Sequence, residues 1–305
     1  MVEALLTIDD LPNAVKETIL AKSEGNPFFI EEVIRSLIDQ NLVYREGDRW
    51  KARAEISDLH VPDTIQSVVL ARVDRLQEDA KRVLQCASVI GRLFKYSLLS
   101  HLAQQERDID QHISEFESRD LVYEERTVPE LEYAFKHAFT QEATYQGILE
   151  QRRGAFHHQV AQGIERLYQD QLEAYYEELA HHYERGGDAE KAVEYLLKVG
   201  EKARGSYANE TAIAHFQRAL EVIEQNGIER KEWKLEALRG LGKVYLGMGK
   251  PIEAERAFIE AIVSAKEIGL PSRQLVRLYY SIAEALWWQS RYDEVIRYGE
   301  MGLEI

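Results

Sequence analysis

A recurring pattern of small and large apolar residues constrains the second half of the chain more than any other feature. Each copy has a helix that contains a small residue, followed by a helix in which small and large residues recur every three or four positions. The most faithful copy starts at residues 241–245 and continues through Phe258 and Ala261. An earlier copy starts at residues 178–183 and a looser one at residues 282–286. The pattern predicts helical hairpins that follow one another along the chain.

These positions resemble the tetratricopeptide repeat, in which small residues let two helices approach and aromatic side chains fill the groove of the next hairpin. The resemblance implies a tetratricopeptide-like α-solenoid over residues 171–305, preceded by a linking helix over residues 151–170. The spacing is irregular, because Ala192 and Ala212 are 20 residues apart, whereas Ala212 and Ala254 are 42 apart. A further helix, around Ala212, lies between the copy that starts at residue 178 and the copy that starts at residue 241. An unspecific helical bundle is the alternative.

The first segment of the chain pairs helices with a β-hairpin. Helical spacing is interrupted at Gly25, Asn26 and Pro27. Asparagine is a good helix cap, and proline suits the first turn of the helix that follows. Residues 42–52 then read as two strands around a turn at residues 46–48. We expect two helices and a hairpin in this segment.

Residues 56–150 combine helices with a second hairpin. One helix is predicted to start after Thr64, a second to end at Gly91, and two shorter helices follow. Residues 121–125 then pair with residues 131–135 across a turn that contains a proline. The alternation at 131–135 predicts a half-buried strand. Three helices followed by a β-wing describe a winged helix, so the sequence as a whole predicts a mainly α protein.

His137 follows the last of these strands and precedes a new helix. The start of a helix exposes backbone N–H groups that can hold a phosphate, so an imidazole here is a candidate nucleotide sensor. A histidine that only caps the turn is the simpler alternative.

The charge of the chain argues against nucleic acid and anionic membranes as partners. Lys and Arg total 38 and Asp and Glu total 53, which gives a net charge of −15. The last helix before the wing, residues 107–119, would have to enter the DNA groove in a winged helix. It carries four acidic residues and only two arginines, Arg107 and Arg119. Phosphates would be repelled by such a helix.

Other features of the sequence exclude several classes of protein. A single cysteine, Cys86, excludes an internal disulfide and suits a reducing cytoplasm. No apolar run approaches the roughly 18 residues of a membrane span. The neighbouring pairs His157 with His158 and His181 with His182 diverge by about 100° on a helix, so no metal site is predicted.

Five motifs of the first half occur in a characteristic order: residues 24–32 (EGNPFFIEE), 61–65 (VPDTI), 71–76 (ARVDRL), 87–91 (ASVIG) and 135–138 (FKHA). They resemble the region after the nucleotide-binding core in bacterial STAND-class (AAA-type) signalling ATPases. The likeness is greatest to members linked to class III adenylate or guanylate cyclase domains. It implies a helical lid with its hairpin over residues 1–55, a winged-helix domain over 56–150 and a repeat sensor over 171–305.

The resemblance also assigns site residues. By position, Asn26 and Pro27 correspond to the lid motif that packs near the adenine, and His137 to the histidine that contacts the ADP phosphate. They would act only with an upstream nucleotide-binding domain. No Gly-x-x-x-x-Gly-Lys-Ser/Thr loop occurs in the sequence. We therefore expect no catalytic residue and no cofactor in this chain alone, with ATP or ADP bound by a parent ATPase.

These observations predict a cytoplasmic regulatory segment whose repeats bind a protein or peptide, either a partner or an inducer. The alternative is a winged-helix DNA-binding transcriptional regulator with a tetratricopeptide effector domain. In stacked hairpins the first helices line a concave face. The candidate partner-binding residues on that face are Tyr175, His182, Trp233, Arg239, Tyr279 and Glu284.

The last two helices are predicted to leave an apolar surface, because no polar capping helix follows them in the sequence. We expect this surface to be covered by further repeats or by a second copy of the chain, which would form a homodimer. The apolar residues concerned are Trp287, Trp288, Val295, Ile296, Met301 and Leu303.

Overall fold

The computed structural model describes residues 8–9, 11–47, 49–53, 56, 61–103 and 108–304. The chain divides into two compact units, Met1–Gly163 and Ile164–Ile305. Helices dominate both, and the strands are short. The mainly α architecture with successive helical repeats that the sequence predicts is confirmed.

The first unit opens with two helices and a three-stranded sheet, as the sequence predicts. β3 is the central strand, with β1 parallel and β2 antiparallel to it. The second helix begins at Pro27 because the Oδ1 atom of Asn26 accepts a hydrogen bond from the N–H of Phe28. Asp48, part of the predicted turn, lies outside the described residues. The elements are β1 (Ile8–Asp9), α1 (Asn13–Ser23), α2 (Pro27–Asp39), β2 (Val43–Glu46) and β3 (Arg49–Ala52).

The rest of this unit contains the predicted helices and the second hairpin. The Thr64 hydroxyl accepts a hydrogen bond from the N–H of Ser67, which fixes the start of the first helix. Arg107 of the predicted acidic helix lies outside the described residues. The elements are α3 (Ile65–Val73), α4 (Glu78–Ile90), β4 (Leu93–Lys95), α5 (Tyr96–Leu102), α6 (Ile109–Ser118), β5 (Val122–Arg126), β6 (Glu132–Phe135) and α7 (Ala138–Gln146).

The strand β6 is buried along its whole length, so the prediction of a half-buried strand was wrong. It lies between β4 and β5 and is antiparallel to both. Tyr133 and Phe135 face the core, as expected. Glu132 is also covered, because the Arg126 guanidinium on β5 donates to its carboxylate, with 3.2 Å between Arg126 Nε and the nearer oxygen. The strand β4, which sequence periodicity did not reveal, occupies the other edge.

Two hydrophobic cores lie within the first unit, and α3 contributes to both. Val68 packs with residues of α1 and α2 in the first core. Val69 and Val73 pack with α4 and β6 in the second core. Because α3 contributes to both cores, its side chains connect the segment of α1, α2 and β1 to β3 with the segment that follows it.

The second unit consists of successive helices, as the sequence predicts. The long helix α8 (Glu150–Leu167) contains the point at which the chain divides into its two units. A 3₁₀ helix, Gln169–Tyr175, follows it. The remaining elements are α9 (Tyr176–Arg185), α10 (Ala189–Gly205), α11 (Asn209–Gln225), α12 (Lys231–Gly247), α13 (Pro251–Ile268), α14 (Ser272–Trp288) and α15 (Tyr292–Leu303).

The packing of two phenylalanines defines the repeat. An added Cβ atom would lie 2.7 Å from the Phe216 ring at Gly200 and 2.4 Å from the Phe258 ring at Gly242. The two glycines are 42 residues apart, and so are the two phenylalanines. Helix pairs α10/α11 and α12/α13 are therefore the same hairpin repeated. The helix around Ala212, which the sequence pattern left between two copies, is the second helix of a repeat.

The last hairpin, α14/α15, follows the pattern more loosely. No aromatic residue stands 42 residues after Phe258, because that position is Glu300 and the residue before it is Gly299. An added Cβ atom at Gly299 would meet no other atom within 4 Å. Consistent with this, α15 has no fully buried residue.

We predict that Gly242→Ala destabilises the repeat unit by about 1–3 kcal/mol, because the new methyl group must displace the buried Phe258 ring. Gly247→Ala, in the same helix, is the matched control. No atom lies within 4 Å of an added Cβ there, so only the gain in helix propensity, up to about 1 kcal/mol, applies. Chemical denaturation of the two variants measures the difference. Equal stabilities would contradict the close packing of Gly242 against Phe258.

Candidate functional site

Two of the sequence motifs, residues 24–32 and 135–138, meet at the start of α2. Asn26, Pro27 and Phe28 are exposed, and the Phe28 side chain is 48% accessible. The ring of His137, which lies just before α7, contacts Phe28 edge to face with 5.2 Å between ring centroids. The structure thus places the three predicted nucleotide-site residues at one end of α2.

The Nε2 atom of His137 is buried and has no hydrogen-bond partner among the described residues. Its nearest carboxylate oxygen, Oε1 of Glu31, is 3.6 Å away, beyond hydrogen-bond distance. A buried polar atom without a partner carries a free-energy cost, so such an atom calls for an explanation. The free nitrogen fits one hydrogen bond to a phosphate oxygen. It does not make a whole phosphate site, which needs several N–H donors.

A chain of alternating charges continues from Glu31. Arg35 donates to Glu31, with 2.9 Å between Nη2 and Oε1, and also to Asp120. Lys136 Nζ lies 2.5 Å from the other oxygen of Asp120. Burial raises the pKa of both carboxyl groups, but the bonds from Arg35 and Lys136 outweigh it and leave both pKa values below their ordinary range. Both carboxylates therefore stay charged at neutral pH, and Glu31 lies beside His137.

Arg72 is the most deeply buried charge of the first unit, with a side chain 1% accessible. Its guanidinium lies 2.5 Å from Glu32 Oε2 and 2.8 Å from Asp39 Oδ2, both on α2. It also donates to the backbone carbonyl of Arg119, just after α6. A neighbouring bond, from Arg75 Nη1 to the Ser36 hydroxyl, joins α2 to the end of α3.

The sequence analysis did not identify these ion pairs as site residues. Their signal was present, because Glu31 and Glu32 end one of the quoted motifs and Arg72 lies in another. A motif supplies the residue types but not the pairing, and here the paired groups are 40 residues apart.

The second candidate site is a groove between α12 and α14 of the repeat unit, with a volume of about 750 Å³. Arg239, one of the predicted partner-binding residues, lines it together with Lys243 and Arg277. Glu284, another predicted residue, lines an adjoining groove of about 550 Å³ that shares Lys243. The structure therefore brings two of the six predicted residues to neighbouring surfaces.

The other predicted partner-binding residues are less accessible. His182 and Tyr279 are only 4% and 3% accessible, so their assignment to an exposed face was wrong. Tyr279 packs in the core with Phe258 because it lies on the inner side of α14. Tyr175 is half-buried and stacks on Tyr168, with 4.6 Å between ring centroids. Trp233 is half-buried beneath the Arg230 guanidinium.

The last two helices expose apolar side chains, as the sequence predicts. Trp287, Trp288 and Ile296 are 59%, 69% and 61% accessible, and Leu303 is 88% accessible. Val295 and Met301, expected on the same surface, instead pack against the core of the repeat unit.

The histidine pairs form no metal site. His157 is buried, with its Nε2 atom 2.9 Å from the Tyr145 hydroxyl, and His158 contacts Gln162. Throughout the described ranges, no group of three or more potential metal ligands occurs.

Among the helices that the structure describes, none is long and apolar enough to cross a membrane.

Two family models match parts of the chain. The tetratricopeptide repeat model matches residues 208–267, a range that contains α11, α12 and nearly all of α13 and includes Phe216 and Phe258. A domain of unknown function (DUF8739) matches residues 1–51. The repeats are therefore recognised independently of the sequence argument, and residues 1–51 correspond to a family of undefined role.

Two curated relatives were found. The chain is 31% identical over 113 residues to hybrid signal transduction histidine kinase G of Dictyostelium discoideum, which covers 36% of this chain. It is 24% identical over 280 residues, or 89% of this chain, to an uncharacterized protein of Rhizobium meliloti. The chain spans 3% and 26% of the lengths of these relatives.

One similar solved structure is a Signal Transduction ATPase with Numerous Domains (STAND) protein with a tetratricopeptide repeat sensor from Pyrococcus horikoshii. The alignment covers 98% of this chain and 58% of that chain, with 12% sequence identity and a TM-score of 0.33.

Proposed function

We propose that this chain is the regulatory and protein-binding segment of a STAND-type signalling ATPase. The observation that carries the proposal is a repeat unit, matched by the tetratricopeptide family model, whose α12 and α14 leave an open groove. Repeats of this kind bind segments of other proteins. The repeat unit would act as the sensor or scaffold that receives a partner or inducer.

In this proposal the first unit is the moving part of a nucleotide switch. Residues 1–55 form a helical lid and residues 56–150 a winged helix. Support comes from the contact of His137 with Phe28 and from the unpaired Nε2 atom beside it. A nucleotide phosphate would supply the missing partner of that nitrogen, so the contact between lid and winged helix would respond to the nucleotide.

The parent protein would supply what this sequence lacks. ATP or ADP would bind mainly to an upstream nucleotide-binding core, with Asn26 and Pro27 near the adenine and His137 at the phosphate. Hydrolysis would belong to that core. On the sequence resemblance, we place the parent among bacterial cytoplasmic proteins linked to class III nucleotide cyclase domains.

We predict that His137→Ala, in a protein that includes the upstream core, speeds ADP release roughly tenfold and raises basal signalling. The change removes one hydrogen bond to a charged group, worth about 1.5–3 kcal/mol. Stopped-flow release of a fluorescent ADP analogue measures the rate. His158→Ala, which changes a half-buried histidine on α8 that contacts Gln162, is the control and should leave release unchanged. If the His137 variant releases ADP at the wild-type rate, His137 is not the nucleotide contact.

We also propose that the exposed apolar end of the repeat unit pairs two copies of the chain around a two-fold axis. Symmetric pairing of one surface with itself is the commonest way to cover such a patch. The patch is formed by Trp287, Trp288 and Ile296, each more than half accessible.

We predict a dimer that dissociates on dilution and is weakened at least tenfold by Trp287→Ser with Trp288→Ser. Loss of two exposed tryptophans removes most of the apolar area available for burial. Analytical ultracentrifugation measures the equilibrium. Leu149→Ser, which changes an 80% accessible leucine of the first unit, is the control. A wild-type chain that sediments as a monomer at about 100 µM, above the usual range of specific affinities, would contradict the proposed dimer.

A further inference from the structure

Three cationic side chains line the groove between α12 and α14. Arg239, Lys243 and Arg277 are all exposed, and they come from two helices that meet only when the repeats stack. Among the described residues, none of the three has a salt bridge or a side-chain hydrogen bond. The backbone carbonyl of Arg277 accepts a hydrogen bond from the Ser281 hydroxyl, and its guanidinium has no partner among the described residues. Neighbouring arginines of the same unit are paired, as Arg218 is with Glu184 and Glu221.

The cluster keeps like charges close together. Burial lowers the pKa of Lys243, and the guanidinium groups of Arg239, Arg204 and Arg277 lower it further. The acidic group that acts on Lys243 is Glu201. Its carboxylate is hydrogen-bonded to Arg204, 2.9 Å from Nε, and also acts on Lys243 and Arg239, so one negative charge is shared by three cations.

This concentration of positive charge is local. From residue 171 to the end the chain has 18 basic and 23 acidic residues, so a uniform distribution would leave the groove acidic. Holding uncompensated cations together costs free energy. An anionic ligand would remove that cost by neutralising them.

The groove also offers apolar surface to an occupant. Leu235, Leu270 and Tyr280 line it beside the cations, and Tyr280 is 71% accessible. Its volume of about 750 Å³ lies within the usual range of ligand pockets. A ligand that matches both features carries carboxylates together with large apolar side chains.

We propose that this groove binds an acidic segment of a partner protein, with its carboxylates on Arg239, Lys243 and Arg277 and an apolar side chain against Tyr280. The inference rests on the proposed sensor role of the repeats and names the chemistry of what they receive. A short segment with a few carboxylates needs only the local cluster. A long nucleic acid would also meet the acidic surface around it, which disfavours it as the occupant.

The test uses fluorescein-labelled peptides of about twelve residues, a length that spans stacked hairpins in extended form. One peptide alternates Glu with Leu and Phe, a second replaces every Glu with Lys, and a third keeps Glu but replaces the apolar residues with Ser. Fluorescence anisotropy with the full chain should show binding of the first peptide, weakened by salt. The other two should bind at least roughly tenfold more weakly, because each lacks one of the two matched features.

A pair of triple variants locates the binding. Arg239→Gln, Lys243→Gln and Arg277→Gln together should weaken the first peptide at least roughly tenfold. The control changes three exposed cations outside the groove, Arg185→Gln, Lys234→Gln and Arg256→Gln, and so alters the net charge equally. It should retain wild-type affinity. All six side chains are exposed, so circular dichroism should show the wild-type fold in both variants.

Several results would overturn the proposal. The first is that the Glu-containing apolar peptide does not bind. The second is that the two triple variants bind it with equal affinity. The third is that a duplex oligonucleotide displaces the labelled peptide at a lower concentration than unlabelled peptide does. If hydrogen exchange showed that the peptide protects another part of residues 164–305, the groove would not be the binding site. The proposed sensor role of the repeats would still hold. The rate of ADP release from the His137→Ala variant tests the proposed nucleotide switch independently of these peptide measurements.

Discussion

The first unit depends on the burial of one positive charge, the guanidinium of Arg72. Removing such a group from water costs several kcal/mol unless it is paired and fully hydrogen-bonded. Arg72 is paired with Glu32 and Asp39 on α2 and donates to the carbonyl of Arg119 after α6. Since these partners come from separate segments, the cost of the buried charge is offset only when α2, α3 and the end of α6 come together. The ion pair thus specifies one arrangement of three elements.

The position of the candidate nucleotide contact follows from this arrangement. Glu32 is adjacent in sequence to Glu31, so the helix held by Arg72 also carries Glu31, Arg35 and Phe28. Phe28 and Glu31 reach His137, and Arg35 reaches Asp120 in the turn after α6. A displacement of α2 would therefore disturb the surroundings of His137 and the Arg72 pairs at once. The proposed nucleotide switch would require such a coupling.

Features with a local cause could be predicted from the sequence. Asn26 and Thr64 cap their own helices, and the recurring small residues foretold the hairpins. Features that arise from long-range packing could not. The burial of β6 needed Arg126 and the unrecognised strand β4, and the orientation of Tyr279 depended on which side of α14 meets the core. Arg239 and Lys243 share α12, but Arg277 lies on α14, and only stacking of the repeats brings it beside them. The composition, with its net charge of −15, indicated an acidic surface and gave no sign of a positively charged groove.

The claim that Arg72 holds three elements together is tested most directly by hydrogen exchange of Arg72→Met. Methionine fills similar space but leaves Glu32 and Asp39 without their cation, a loss of about 3–5 kcal/mol for a broken buried pair. We expect amides of α2, α3 and the end of α6 to lose protection together, while those of α10 to α14 exchange as in the wild type. Loss of protection confined to α3, or none at all, would contradict it.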